Sequence, residues 1–222
     1  MAAEPFTLAI PGQGEVAALW QALAKPWAVL SLAHGAGAGM DHRSMAALAD
    51  GLEARGIATL RFQFPYMQRG SKRVDPPPIA QAALRAAAAE AARRAADLPL
   101  FAGGRSFGGR MTSQAQAAEP LAGVRGLVFF AFPLHLAGKP STERAAHLGE
   151  VATPMLFLQG DNDALARLDL LRETVERLSP SANLHLLAHA DHSFHAPARS
   201  GRKDSEVLTE ALDAAAAWMR SL

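Results

Sequence analysis

Residues 104–108 read Gly-Arg-Ser-Phe-Gly, a Gly-x-Ser-x-Gly pattern that can make a serine hydroxyl reactive. The apolar run 98–102 precedes it and an amphipathic segment follows, which predicts a strand, a sharp turn and a helix. The residues two positions either side of the serine must be small, because the chain doubles back on itself there. We therefore predict that Ser106 projects from a sheet edge with its hydroxyl exposed. An ordinary serine in a glycine-rich loop is the alternative.

A serine hydroxyl is a poor nucleophile at neutral pH, so it needs a base and a carboxylate that orients the base. After a Gly-x-Ser-x-Gly turn, the acid is expected first along the chain and the histidine last, each just after a strand. Asp163 follows the apolar run 155–159, and His192 follows the apolar run 184–188. We predict that Asp163 is the orienting acid and that His192 is the base. The alternative acid is Asp161, and the alternative bases are His189 and His195.

Backbone N–H groups must stabilise the oxyanion that forms when the serine attacks a carbonyl carbon. One donor is predicted at Phe107, and the other at Ala36, or else at Gly37, in the small-residue loop 34–40. This loop fails the spacing of a dinucleotide-binding motif, because Met40 occupies the final glycine position. No Lys-Ser/Thr pair follows it, so the loop is not a P-loop either. His34 is predicted to brace this loop.

Composition limits the possible partners of this 222-residue chain. It has 22 basic and 21 acidic residues, a net charge of +1, and no cysteine. This balance predicts neither nucleic acid nor an anionic membrane as a partner. Residues 1–10 do not have the pattern of a signal peptide, so we expect a cytoplasmic protein. No cofactor is predicted. No metal is predicted either, because His185 and His189, although four residues apart, fall on a predicted strand and lack the Glu of a helical zinc motif.

Short apolar runs alternate with helical patterns, which is typical of a mostly parallel α/β sheet covered on both faces. The length suits one domain, residues 1–222. The polar stretches Gln68–Asp75 and Gly138–Glu150 are expected to be loops over the active edge. Strands are predicted at 6–10, 15–23, 27–33, 59–64, 98–102, 124–132, 155–159 and 184–188. Helices are predicted around 45–52, after Ser106, at 76–96, at 168–178 and at 205–219.

Five local matches give the chain a resemblance to the α/β-hydrolase superfamily; they are residues 34–38, 61–67, 103–110, 158–163 and 190–194. More narrowly, the chain resembles the small, lid-poor hydrolases related to dienelactone hydrolase. That subgroup includes animal proteins, among them a histone-acetyltransferase-complex subunit and testis-expressed relatives. The resemblance implies a three-layer α/β/α sandwich with about eight strands, a minimal lid and the triad Ser106, Asp163 and His192.

These residues together predict a serine hydrolase that cleaves a carboxylic ester, or a related acyl compound, through an acyl-enzyme. The alternative is a non-catalytic protein-interaction module on the same scaffold, because a fold alone does not fix a function. The expected partner is a small acyl substrate, and the expected state is a monomer or homodimer. Substrate contacts are predicted from Gly37, Tyr66 and Arg105. Four cationic side chains could favour a substrate with an anionic acyl group; they are Arg69, Lys72, Arg73 and Arg105. The alternative is that these are solvated surface charges.

Overall fold

The computed structural model describes residues 3–222, so the first two residues of the predicted domain lie outside the described residues. Strands and α-helices are numbered here in chain order. The strands are β1 Glu4–Ile10, β2 Gly14–Gln21, β3 Ala28–Ala33, β4 Ile57–Phe62, β5 Leu100–Arg105, β6 Val124–Phe130, β7 Met155–Gly160 and β8 Ala182–Leu187. The α-helices are α1 Arg43–Glu53, α2 Pro65–Gln68, α3 Pro77–Arg94, α4 Phe107–Ala118, α5 Leu168–Arg177 and α6 Asp204–Arg220. Two 3-10 helices cover Glu143–Glu150 and Ala198–Ser200.

The eight strands form one sheet in the order β1-β2-β4-β3-β5-β6-β7-β8. β1 pairs antiparallel with β2, β2 pairs antiparallel with β4, and every other neighbouring pair is parallel. The carboxyl ends of β3, β5, β6, β7 and β8 therefore lie at the same edge of the sheet. Open parallel sheets of this kind bind ligands at that edge.

Side chains alternate between the two faces of the sheet, and helices cover both faces. On β3, Leu30 belongs to a core formed with α1 and α6, whereas the adjacent Val29 belongs to a core formed with α3 and α4. A third cluster lies between β6, β7 and α5, around Phe129 and Phe157. The central strands β3 and β4 are buried throughout, which explains why their sequences are mostly apolar.

The predicted mostly parallel sheet with helices on both faces is confirmed, and each predicted strand lies within a few residues of an observed one. The strand predicted to end at Phe132 ends at Phe130, because Ala131 has a positive φ of 60° and leaves the extended conformation. The short helix α2 and the 3-10 helix Glu143–Glu150 were not predicted. Neither is long enough to give a clear hydrophobic period.

The two polar stretches expected over the active edge do not line the cavity that contains Ser106. In the first, Asp75 is buried and accepts hydrogen bonds from Tyr66 N (2.8 Å) and Arg69 Nη2 (2.8 Å), which holds the loop against α2. In the second, the 3-10 helix packs on α4, where His147 Nε2 lies 2.8 Å from Ser113 Oγ. Local partners therefore hold both segments away from the cavity.

Gly103 gives a test of the strand packing beneath the serine. A Cβ atom at this position of β5 would overlap the carbonyl oxygen of Val128 in β6. We expect Gly103→Ala to lower the free energy of unfolding by about 1–3 kcal/mol in urea denaturation, because the backbone must shift to admit it. Gly149→Ala is the control: its Cβ would have no atom within 4 Å, and a change within about 0.5 kcal/mol is expected. Equal effects of the two substitutions would contradict this account.

Candidate active site

Ser106 lies in the sharp turn between β5 and α4. Its φ of 48° and ψ of −114° are strained for a residue with a side chain. A Cβ atom at Gly104 would overlap the carbonyl oxygen of Ala33, and one at Gly108 would lie 2.6 Å from the same oxygen. Glycine is therefore required on both sides of the turn, so that α4 can begin directly against the end of β3. This turn presents the Ser106 hydroxyl at the carboxyl edge of the sheet.

His192 lies between Ser106 and Asp163 and contacts both. Its Nε2 is 2.8 Å from Ser106 Oγ, and its Nδ1 is 2.7 Å from Asp163 Oδ2. An ionised carboxylate only accepts hydrogen bonds, so Nδ1 carries the proton in this arrangement. Nε2 is then the acceptor for the Ser106 hydroxyl proton. This is the geometry in which an imidazole can act as a base towards serine.

Asp163 is held in a fully buried position by two further donors. Leu165 N donates to its Oδ1 at 2.7 Å, and Gln159 Nε2 donates to the same Oδ2 that accepts from His192. Gln159 is itself fixed, because its Oε1 accepts a hydrogen bond from Phe132 N at 2.8 Å. The alternative acid, Asp161, has a buried Oδ1 with no hydrogen-bond partner and does not contact His192.

A close backbone contact brings the aspartate and histidine loops together. A Cβ atom at Gly160, the last residue of β7, would overlap the carbonyl oxygen of Ala190. The same carbonyl accepts a hydrogen bond from Asn162 N at 2.9 Å. Neither Gly160 nor Gln159 was singled out from the sequence. The signals for them were a glycine at a strand end and a polar residue inside an otherwise apolar strand.

The two other candidate histidines have different environments. His189 is exposed with a positive φ of 64°, and it contacts neither Ser106 nor Asp163. His195 is exposed as well, and its Nδ1 lies 3.0 Å from Asp204 Oδ1. The hydrogen bond to Asp204 raises the pKa of His195. Of the histidines in the loop after β8, His192 is therefore the one that contacts the serine.

Backbone N–H groups are available beside Ser106 on two sides. Phe107 is the first residue of α4, so its N–H has no acceptor within its own helix. Across the cavity, Ala36 is exposed in the loop after β3, and its N–H forms no backbone hydrogen bond within residues 3–222. These are the two positions that the sequence predicts as oxyanion donors.

His34 braces the start of the loop that contains Ala36. It is fully buried, its Nδ1 lies 2.8 Å from the carbonyl oxygen of Gly35, and its Nε2 accepts from Phe64 N at 3.1 Å. Because the Gly35 oxygen can only accept, Nδ1 carries the proton. Burial lowers the pKa of His34, which favours this neutral form. The ring is therefore occupied on both nitrogens and is not available as a second base.

The far end of the same loop is fixed by side chains from β4 and the segment that follows it. Arg61 Nη1 donates to the carbonyl oxygen of Met40 at 3.1 Å, and Met40 N donates to Gln63 Oε1 at 3.2 Å. Arg61 is buried and also donates to Gln21 Oε1 at 2.8 Å. The loop is thus anchored at both ends, and its exposed central residues can approach a substrate.

Ser106 opens into a cavity of about 750 Å³. The residues that line it come from the loop after β3, the start of α1, the end of β5 and the loop after β8. They are Gly35, Ala36, Ala38, His42, Arg43, Ser44, Met45, Ala47, Arg105, Ser106, His192, Ser193, His195 and Asp204. A larger groove of about 870 Å³ between β8 and α6 is not lined by Ser106, Asp163 or His192, which favours the smaller cavity as the candidate site.

The predicted substrate contacts are only partly found in this cavity. Arg105 lines it, whereas Gly37 does not. Tyr66 is fully buried beneath the loop, where its hydroxyl approaches the Gly37 backbone without a hydrogen bond of normal geometry. Tyr66 therefore packs under the site instead of facing substrate, because its ring fills the space between His34 and Phe107.

Fewer of the predicted cationic side chains lie near the cavity mouth than expected. Arg69, Lys72 and Arg73 do not line the cavity. Arg69 instead forms an ion pair with Asp75. Arg105 faces the cavity, and Arg43, which was not predicted, lies there as well.

Comparison with known proteins places these features in context. The family described as "Alpha/beta hydrolase domain" matches residues 26–220. An α/β serine hydrolase homologue from Coxiella burnetii is 22% identical, with a TM-score of 0.77 over 96% of this chain and 97% of that one. A lidless α/β serine hydrolase from Xanthomonas campestris is 22% identical, with a TM-score of 0.76 over 98% and 95%. Dienelactone hydrolase from Anabaena variabilis is 20% identical, with a TM-score of 0.79 over 99% and 97%.

His34 provides a test of the loop bracing. We expect His34→Leu to lower the free energy of unfolding by about 1–3 kcal/mol, because it leaves Phe64 N–H and the Gly35 carbonyl buried without partners. Chemical denaturation measures the effect. Tyr66→Phe is the control from the same cluster, since the hydroxyl it removes has no hydrogen bond of normal geometry; a change within about 0.5 kcal/mol is expected. A His34→Leu variant as stable as wild type would show that the bracing bonds contribute nothing.

Proposed function

The chain belongs to the alpha/beta hydrolase domain family, and on that premise we propose that it is a serine hydrolase acting on a carboxylic ester or a related acyl compound. The observation that carries the proposal is the continuous chain of hydrogen bonds from Ser106 through His192 to Asp163. These three residues lie far apart in sequence and meet beside a cavity of substrate size.

In the first half of the proposed reaction, Ser106 Oγ attacks the ester carbonyl carbon while His192 Nε2 takes the hydroxyl proton. Asp163 stabilises the imidazolium and keeps the ring in its orientation. The N–H groups of Phe107 and Ala36 bind the oxyanion of the tetrahedral intermediate. The imidazolium then gives its proton to the leaving alkoxide oxygen, the carbon–oxygen bond breaks, and an acyl-enzyme remains on Ser106.

In the second half, a water molecule replaces the alcohol. His192 takes one water proton as the water oxygen attacks the acyl carbon, and the second tetrahedral intermediate uses the same two N–H donors. Its collapse breaks the bond to Ser106 Oγ, which recovers its proton from His192. The products are an alcohol and a carboxylic acid, and the protein returns to its starting state.

The substrate we propose is a small acyl compound, with a carboxylesterase as the first choice of activity. Thioesters, lactones, peptides and acyl transfer to other acceptors use the same attacking group. The resemblance to animal interaction subunits keeps the non-catalytic module as the alternative function. The hydrogen-bonded serine argues against it, because a scaffold has no need of a buried carboxylate aimed at a histidine.

We also propose a cytoplasmic location, consistent with the lack of cysteine. Among residues 3–222, no helix has the length and apolar character that crossing a bilayer requires.

Ser106→Ala separates the enzyme from the interaction module. With short-chain aryl esters, we expect wild-type protein to turn over and the variant to lose about 10⁴–10⁶ in kcat, because the attacking oxygen is gone. A fluorophosphonate probe should label wild type and not the variant. Folded wild-type protein that neither hydrolyses esters or thioesters nor takes up the probe would favour the module.

Asp163→Asn and Asp161→Asn test which acid orients the base. We expect Asp163→Asn to lower kcat by about 10⁴, because an amide facing His192 Nδ1 favours the wrong tautomer. Asp161→Asn is the matched control from the same loop, and it should keep kcat within about threefold, since Asp161 makes no contact with the imidazole. A larger loss from the Asp161 variant would reverse the assignment.

A further inference from the structure

Arg105 directly precedes Ser106 and reaches across to the loop that carries His192. Its Nη2 donates a hydrogen bond to the backbone carbonyl oxygen of His192 at 3.1 Å. Its guanidinium also lies over the ring of Phe194, 5.3 Å from the ring centroid. One side chain thus contacts the loop both at the candidate base and two residues beyond it.

The segment that Arg105 contacts is held together by its own hydrogen bonds. Asp191 Oδ1 accepts hydrogen bonds from Ser193 N (2.6 Å) and His195 N (3.0 Å), and Phe194 N donates to the Asp191 carbonyl at 3.0 Å. Phe194 is buried in the core despite its positive φ of 62°. A guanidinium fixed on this segment therefore fixes the position of His192 as well.

The guanidinium of Arg105 has no carboxylate partner at salt-bridge distance among residues 3–222, although Asp191 and Asp163 act on it at longer range. Burial lowers the pKa of Arg105, but arginine stays protonated in proteins. Its hydrogen bond to the His192 carbonyl oxygen is therefore charge-assisted, and such bonds are stronger than those between neutral groups.

We propose that Arg105 is a positioning residue that clamps the His192 loop to the turn carrying Ser106. The inference rests on the proposed function of the same site. The clamp keeps Nε2 within hydrogen-bond reach of Ser106 Oγ, which is the distance at which the imidazole can take the hydroxyl proton.

Steady-state kinetics on p-nitrophenyl acetate test the proposal with Arg105→Met and Arg105→Lys. We expect Arg105→Met to lower kcat by about 10², because the base is less well placed, with little change in KM. Arg105→Lys should recover part of kcat, because it restores a cationic donor towards the His192 carbonyl oxygen.

Arg202→Met is the matched control. Arg202 Nη1 donates to the carbonyl of Ala188 at 3.0 Å in the same loop, but Arg202 is paired with Glu210 and lies outside the cavity. This variant should keep wild-type kcat and wild-type KM. Thermal unfolding of each variant checks that it is folded. If the Arg105→Met variant does not fold, the comparison of Arg105→Lys with wild type provides the test.

The outcomes separate this inference from the proposed function. An active wild type with an Arg105→Met variant of unchanged kcat would overturn the clamp alone. A folded Arg105→Met variant whose loss lies mainly in KM, or an Arg105→Lys variant that recovers none of kcat, would overturn it too, because neither result follows from a misplaced base. Wild-type protein with no activity and no probe labelling at Ser106 would overturn the proposed function and this inference with it.

Discussion

The site depends on the close approach of backbone to backbone where α4 begins against the end of β3. Gly104 and Gly108 both face the carbonyl oxygen of Ala33, and neither position has room for a side chain. β3 leads directly into the loop that contains Ala36. The same contact therefore sets both the strained turn at Ser106 and the separation between its hydroxyl and the nearby N–H donors. Interiors packed this tightly transmit a small displacement to the whole site.

The order of the strands explains why the base needs support from several sides. β8 lies three strand positions from β5, a distance of about 14 Å at the usual spacing between strands, and the loop after β8 must bring His192 back over it. Asp163, after the intervening β7, supports the imidazole ring. The contact between Gly160 and Ala190 supports the loop at its start, and Arg105 reaches it from the serine side. The loop is thus held at three points between β8 and β5.

Much of the fold was predictable because buried parallel strands have continuous apolar sequences that stand out between polar loops. The same reasoning failed where individual side-chain contacts decide the position of a loop. The 3-10 helix Glu143–Glu150 and the loop that ends at Asp75 were expected over the cavity, yet each is held by partners elsewhere. Tyr66 was expected to face substrate but is buried, since no pattern in the sequence tells which side of a short helix meets the core.

By itself, the sequence determined the alternation of strands and helices, the glycine-flanked turn at Ser106, and the order in which an acid and a histidine follow. These features can be recognised from neighbouring residues, although the contact with β3 is what makes glycine necessary in the turn. Only the tertiary structure decided that Asp163, and not Asp161, contacts His192, and that Gln159 and Arg105 hold the two loops. Both aspartates lie in one short loop, and their orientations follow from packing between distant segments, which no local pattern records.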